Sequence, residues 1–256
     1  MLNRVRDLNS YSIGATDGEI GRVRDVYFED RWWRLRYIVV TTSHWLPGRQ
    51  VLISPLFLRG IDAAHHVLHA DLTKIQVARS PGVDTATPAS HQHELELLRY
   101  YGFPYCWTWS GLPHGVPDPA AAGFWRTSAA LNRQLAASAG VEEQYDARLR
   151  SARAGIGYYV HTVDADVGHV ADFLFDEGSW TVRYIAVTTG NWWPRHKVLV
   201  PVPWLAQVNW LASTVNVKLT SEVVRTAPLY DPSRPLSAEY EARLMRYYGP
   251  PPFSST

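Results

Sequence analysis

Apolar and polar positions alternate with period two along residues 20–28 (IGRVRDVYF) and 33–41 (WRLRYIVVT), which predicts two β-strands. In the second, Trp33, Leu35, Tyr37 and Val39 share one face. Ile38 and Val40 make the other face apolar as well, the pattern of a strand buried on both sides in a closed or strongly coiled sheet. Turn residues separate the strands: Asp17-Gly18 before the first, Glu29-Asp30-Arg31 between the two, and Leu46-Pro47-Gly48 before a third strand at 51–53. A further strand is predicted at 67–72, and Thr73 is the N-cap of a helical turn over 74–78. Short hairpin-linked strands of this kind predict a small antiparallel barrel. A helix over 90–101 follows, with Ser90 at its start, Gly102 after its end and Pro104 beyond.

The same pattern returns after a shift of 147 positions. Residues 13–104 align on 160–251 without a gap, and about one position in three is identical. Asp17/Asp164, Gly21/Gly168, Asp25/Asp172, Trp33/Trp180, Arg36-Tyr37-Ile38/Arg183-Tyr184-Ile185 and Arg99-Tyr100-Tyr101-Gly102/Arg246-Tyr247-Tyr248-Gly249 are among the identical pairs. One long unit copied once predicts two like domains rather than a solenoid of short repeats. The fold expected is mainly β: a barrel over 1–82, a helix and a Pro/Trp-rich, partly helical linker over 83–154, a second barrel over 155–228, and a C-terminal helix and tail over 229–256. In the two tail helices Leu97, Tyr100 and Tyr101, and Leu244, Tyr247 and Tyr248, form apolar faces. Those faces are expected to pack on barrel surface with the Tyr-Tyr rings buried, at least one helix crossing to the other copy.

Composition narrows the class. With 46% hydrophobic and 19% charged residues the chain is globular rather than disordered. A formal net charge of +1 gives no nucleic-acid footprint. The single cysteine, Cys106, excludes an intrachain disulfide and points to a reducing, cytoplasmic setting, where it reads as a packed thiol. No stretch approaches the ~20 apolar residues of a membrane span.

The strings Asp17–Phe28, Trp33–Val40 and Leu46–Pro55, with Leu72-Thr73-Lys74, resemble the PRC-barrel family. Residues Asp164–Phe175 carry a weaker version, with Ala165 in place of the turn glycine and Pro194-Arg195-His196 in place of Pro47-Gly48-Arg49. The resemblance implies a six-stranded barrel acting as a docking module. Its relatives include the cytoplasmic domain of the photosynthetic reaction-centre H subunit, which takes part in proton supply, and the C-terminal domain of a ribosome maturation factor, which touches a ribosomal protein.

No Ser-His-Asp order, phosphate loop, dinucleotide fingerprint or zinc motif occurs. His65, His66, His69, His91 and His93 come nearest to metal spacing, but no cysteine or acid cluster joins them and the second copy lacks them. No catalytic residue, cofactor or metal is therefore expected. Asp25–Arg36 and Asp172–Arg183 recur on neighbouring strands and are expected within ~4 Å as register-fixing pairs; the alternative is a proton-relay or ligand carboxylate. Asp17 and Asp164 are expected to bond their own turns. Of the eleven tryptophans, Trp33 and Trp180 read as core, while Trp45 and Trp192 stand at loop tips. Trp45, Trp192, Trp193, Trp107 and Trp109 are thus candidates for an interface within the chain, between copies, or with a protein partner. A non-catalytic docking or assembly protein is the expectation. The rival is an enzyme or small-ligand binder with a site in a cleft between the barrels.

Overall fold

The computed structural model describes residues 1–43, 45–82, 96–97, 99–101, 149–190 and 196–250. The chain is mainly β and divides into two compact units. The first-repeat unit is Leu8–Arg31 with Leu35–Arg150; the second-repeat unit is Met1–Asp7, Trp32–Arg34 and Ser151–Thr256.

In the second-repeat unit the strands are β9 (Tyr159–His161), β10 (Asp166–Asp176), β11 (Thr181–Thr189), β12 (His196–Pro201), β13 (Leu205–Asn209) and β14 (Thr214–Val217). They run β13–β14–β9–β10–β11–β12 across the sheet. All ladders are antiparallel except β9–β14, which is parallel. Among the described residues no ladder joins β12 to β13, so the sheet is open. The expected antiparallel closed barrel is corrected on both counts. β9 and β14 are the first and last strands of the repeat, and the long route between them is the crossover that parallel pairing requires.

The first-repeat unit follows the same order with β2 (Ser12–Ala15), β3 (Gly18–Glu29), β4 (Arg34–Thr42), β5 (Gln50–Ile53), β6 (Leu58–Asp62) and β7 (Val67–Ala70). Here β2 and β7 form the parallel pair. Gly21 and Gly168 show why one residue type recurs on the long strand. A Cβ at Gly21 would lie 2.1 Å from the Thr41 carbonyl oxygen, and one at Gly168 1.9 Å from that of Thr188. Gly168 also sits at φ +144°. The close approach lets two backbones cross where any side chain would force them apart.

Each unit also takes in the residues that precede the other repeat in sequence. β1 (Leu2–Arg4) lies on β10, pairing Leu2 with Asp176 and Arg4 with Leu174. Its equivalent 147 residues on, β8 (Leu149–Ser151), lies on β3. A helical turn follows each: α1 (Val5–Leu8) and, after β8, α3 (Ala152–Gly155). The turn between β3 and β4 behaves likewise. Trp33, expected on a strand in its own core, has φ +58° and stands beside Phe173 in the second-repeat unit, ring centroids 6.2 Å apart. Its carbonyl accepts from the Val182 amide at 2.7 Å. Trp180 has φ +52° and stacks on Phe175 at 5.3 Å. The left-handed residue ends the hairpin and throws the ring off the strand's alternation, which period-two reading cannot anticipate.

Short helices α2 (Lys74–Arg79) and α4 (Ser221–Thr226) close the repeats. Thr73 and Gln76 form a reciprocal capping box, and Thr220 accepts from the Val223 amide. Asp17 and Asp164 reach these helices, and Asp164 also bonds its own turn through the Thr162 hydroxyl at 2.8 Å. Asp17 accepts from the Lys74 amide at 2.9 Å and Asp164 from the Ser221 amide at 2.7 Å. A fully exposed Asp164 is held below its usual pKa by that bond first and by the Thr162 hydroxyl second.

Helix α5 (Ala238–Tyr248) begins at the Ser237 cap and ends at Gly249, φ +66°. Residues 96–97 and 99–101 are helical at the matching place in the first repeat. Both helices contact their own repeat, and most of the 90–101 helix expected to cross lies outside the described residues. The Tyr100 hydroxyl donates to the Gln76 carbonyl at 2.6 Å, and Tyr247 to that of Val223 at 2.8 Å. Tyr101 meets Phe57 at 4.8 Å, and Tyr248 meets Trp204 at 6.5 Å. Both Leu97 and Leu244 are fully buried, whereas Tyr100 and Tyr247 keep 38% of their surface exposed. The first tyrosine of each pair is thus a hydrogen-bonding strut, not a core ring.

Candidate functional site

Arg36 has Glu29 as an ion partner at 3.9 Å, both side chains buried. The expected Asp25–Arg36 pair is corrected by a shift of one helical-turn's worth of sequence, four residues along β3. Arg183 is exposed and its charge acts on Asp176, the equivalent of Glu29, not on Asp172. A bulge between Leu174 and Phe175 sets this register, placing Asp172 opposite Ala186. Asp25 accepts from the Val26 amide at 2.7 Å, and Asp172 from the Phe173 amide at 2.8 Å.

Asp172 is the more unusual of the two identical acids. It is buried, and one oxygen also accepts from the Arg6 amide at 3.1 Å. Burial pushes its pKa up to about 6 against the opposing pull of the Arg6 and Phe173 amides and of Arg4; Asp7 adds to the rise. Arg4 is joined to Asp7 by two hydrogen bonds of 2.6 and 2.7 Å. Buried Tyr230 completes the cluster, its pKa raised to about 12 by burial with Arg4 opposing. Tyr230 also walls a groove of about 320 Å³ with Asp231, Arg234, Tyr240, Arg243 and Arg246. In it Arg234 lies 3.4 Å from Asp231, and Arg243 lies 5.0 Å over the Tyr240 ring.

Trp45 is not a free loop tip. Its indole N–H donates to the Ile20 carbonyl at 2.7 Å, and the Lys74 ammonium lies 5.8 Å above the ring. Arg49 bonds the Ala78 and Ser80 carbonyls, and Thr42 the Arg49 carbonyl at 2.9 Å, so the described part of the loop is held at both ends. Trp192, Trp193, Trp107 and Trp109 lie outside the described residues, as do Cys106, His91 and His93. His65 pairs with Asp62 at 2.8 Å, and His66 with the Ser10 hydroxyl at 3.0 Å. Among the described residues no group of three or more His, Cys, Asp and Glu could hold a metal ion, and no helix is long and apolar enough to cross a membrane.

An open apolar groove lies elsewhere, on residues the sequence reading did not single out. Tyr184, Pro201, Pro203, Trp204, Met245 and Tyr248 line it, with Arg183 and Gly249 at the margin, and it holds about 200 Å³. Pro201 ends β12, and a 3-10 turn over Val202–Trp204 carries the indole to the face of α5. Met245 is 55% exposed. The Tyr248 hydroxyl is buried without a hydrogen-bond partner, and burial raises its pKa above the usual tyrosine range. Tyr184 reaches Glu241 at 3.4 Å, which fixes α5 over the strand. Apolar rings around a small number of polar groups can hold an apolar side chain and orient it. The signal in the sequence was the Pro-Val-Pro-Trp run at 201–204 beside Met245. It is legible only once β12 and α5 are known to be neighbours.

Residues 152–224 match the family model for the PRC-barrel domain. No curated protein matches the chain. The PRC-barrel match runs from α3 into α4 and takes in every strand from β9 to β14. It falls on the copy whose turn motifs depart further from the family strings. Turns tolerate substitution, while the long bulged strand with Gly168 and the apolar β11 and β12 carry the fold.

Proposed function

We propose that the chain is a non-catalytic protein of two tandem PRC-type β-domains, each followed by a short helix, that acts as a protein–protein docking or assembly module. The PRC-barrel match over the second repeat and the same strand order in the first support the architecture. The observation that carries the function is the groove of Tyr184, Pro201, Pro203, Trp204, Met245 and Tyr248. It is shallow, aromatic and apolar, with one arginine at its edge. Aromatic rings, Met and Arg are the side chains enriched where proteins bind proteins. Its occupant is an apolar side chain or short segment of a protein partner, with Arg183 at the polar rim.

The test is capture of a partner by the full chain, repeated with Met245→Glu. The substitution places a charge in the groove from an exposed helix position, so the fold is kept. The reading requires that Met245→Glu lose the captured protein while melting as wild type. Equal capture by both proteins would remove the groove from the function.

A further inference from the structure

The segment preceding the first repeat is a basic arm lying on acidic residues of the second-repeat unit. The Met1 ammonium is 3.7 Å from Asp176, and the Glu177 amide donates to the Met1 carbonyl at 2.9 Å. The Asn3 amide donates to Glu177 at 3.4 Å, and the Arg6 backbone N–H to Asp172 at 3.1 Å. Val5 is buried at the middle of the arm. Beneath it, Asp172 is only 5% exposed. The charged and titratable groups facing that carboxyl are Arg4 and Asp7 from the arm and Tyr230 from the segment between α4 and α5. We propose that Met1–Asp7 is a detachable latch on the second-repeat unit, and that proton uptake by Asp172 tightens it.

With the arm in place, Asp172 is out of water, and a buried carboxyl prefers its neutral form. With the arm lifted, it is hydrated and loses the Arg6 donor and the Arg4 charge. The docked pKa is about 6 against the ordinary 3.8. Docking therefore takes up a proton between these values. The latch is tightest near the acid end of that window and loosens as pH rises through 6. The change is at most about 100-fold, the weight of two pKa units. The window has a floor. Burial pulls Asp176 up, but the Ser179 donors, the Met1 ammonium and Arg183 outweigh it, so its pKa is depressed. Its contribution to the arm is lost as pH falls below that value. What the latch uncovers is the β10 edge at residues 174–176, a row of backbone groups able to pair with another strand.

Amide exchange on the full chain tests this. After correction for intrinsic pH dependence, the opening constant of the Asn3–Arg6 amides should fall about 10-fold from pH 7.5 to pH 5. The Tyr184–Val187 amides of β11 should not follow. Asp172→Asn keeps an acceptor for the Arg6 N–H but cannot titrate, and should flatten the dependence. In wild type, which needs no variant, the Asp172 carboxyl carbon should titrate near pH 6. The latch is overturned by a midpoint below about 4.5, by arm protection equal at both pH values, or by arm and β11 amides changing together.

Discussion

The two repeats share a strand order, capped helices and docked tyrosines, yet they treat one face in opposite ways. In the first repeat Arg36, Ser54, Pro55, Phe57 and Leu58 are buried. Their equivalents Arg183, Pro201, Val202, Trp204 and Leu205 are partly or largely exposed. The strands beneath match closely, since Val51-Leu52 and Val198-Leu199 are identical and fully buried. Identity marks the shared strands at these positions, but not the face, since Arg36/Arg183 and Leu58/Leu205 are identical and differ in burial. Departure from identity, Phe57 to Trp204 and Ser54 to Pro201, marks the surface at which the second copy differs.

If scaffold and face are separable, substitutions in the scaffold should act alike in both repeats. The largest effect is expected from Gly21→Ala and Gly168→Ala. Each puts a methyl within 2.1 Å or 1.9 Å of a backbone carbonyl, which only movement of the paired strands can relieve. Losses above ~3 kcal/mol are expected for both, measured by urea unfolding. A tolerated Gly21→Ala beside a disruptive Gly168→Ala would show that the two strand crossings are not equivalent. Next come Leu97→Ala and Leu244→Ala, at about 2–4 kcal/mol each from lost burial and the cavity left behind. Similar values would establish that the tail helices are the same element; a silent Leu97→Ala would break the comparison.

A smaller, pH-dependent effect separates the copies. The folded pKa of Asp172 is raised to about 6, so its contribution is favourable below ~4 and is lost as pH rises to 6. At pH 7.5 Asp172→Asn should therefore stabilise the second-repeat unit by up to ~3 kcal/mol, and by little at pH 4. Melting curves at the two pH values check this. Greater stabilisation at pH 4 than at pH 7.5 would reverse the sign and contradict the buried carboxyl.

The sequence made the repeat, the long strands and the helix caps legible because each rests on local chemistry: period-two burial, Asp-Gly turns, Thr73 and Ser237 at helix starts. Partners distant in sequence were less accessible. Asp17 and Asp164 bond amides 57 residues away. Arg36 lies against Glu29 rather than Asp25, and in the second repeat a bulge between Leu174 and Phe175 shifts the strand register, a feature that leaves no mark in hydrophobic alternation. Parallel pairing of first with last strand, and the lodging of β1 on β10, join segments far apart in sequence that no local pattern connects. Trp45 carried the aromatic signal of an interface but spends its N–H on Ile20. The groove came from Pro203 and Met245, which no local pattern connects.

The central claim is that the second repeat's open face is where a partner docks. Amide exchange of the full chain, free and bound to the protein it captures, tests this most directly. The account predicts slowed exchange on binding at Trp204, Leu205 and Met245–Gly249, with Phe57 and Leu58 unchanged. Slowing elsewhere, with the Trp204 and Met245 amides exchanging as in the free chain, would contradict it.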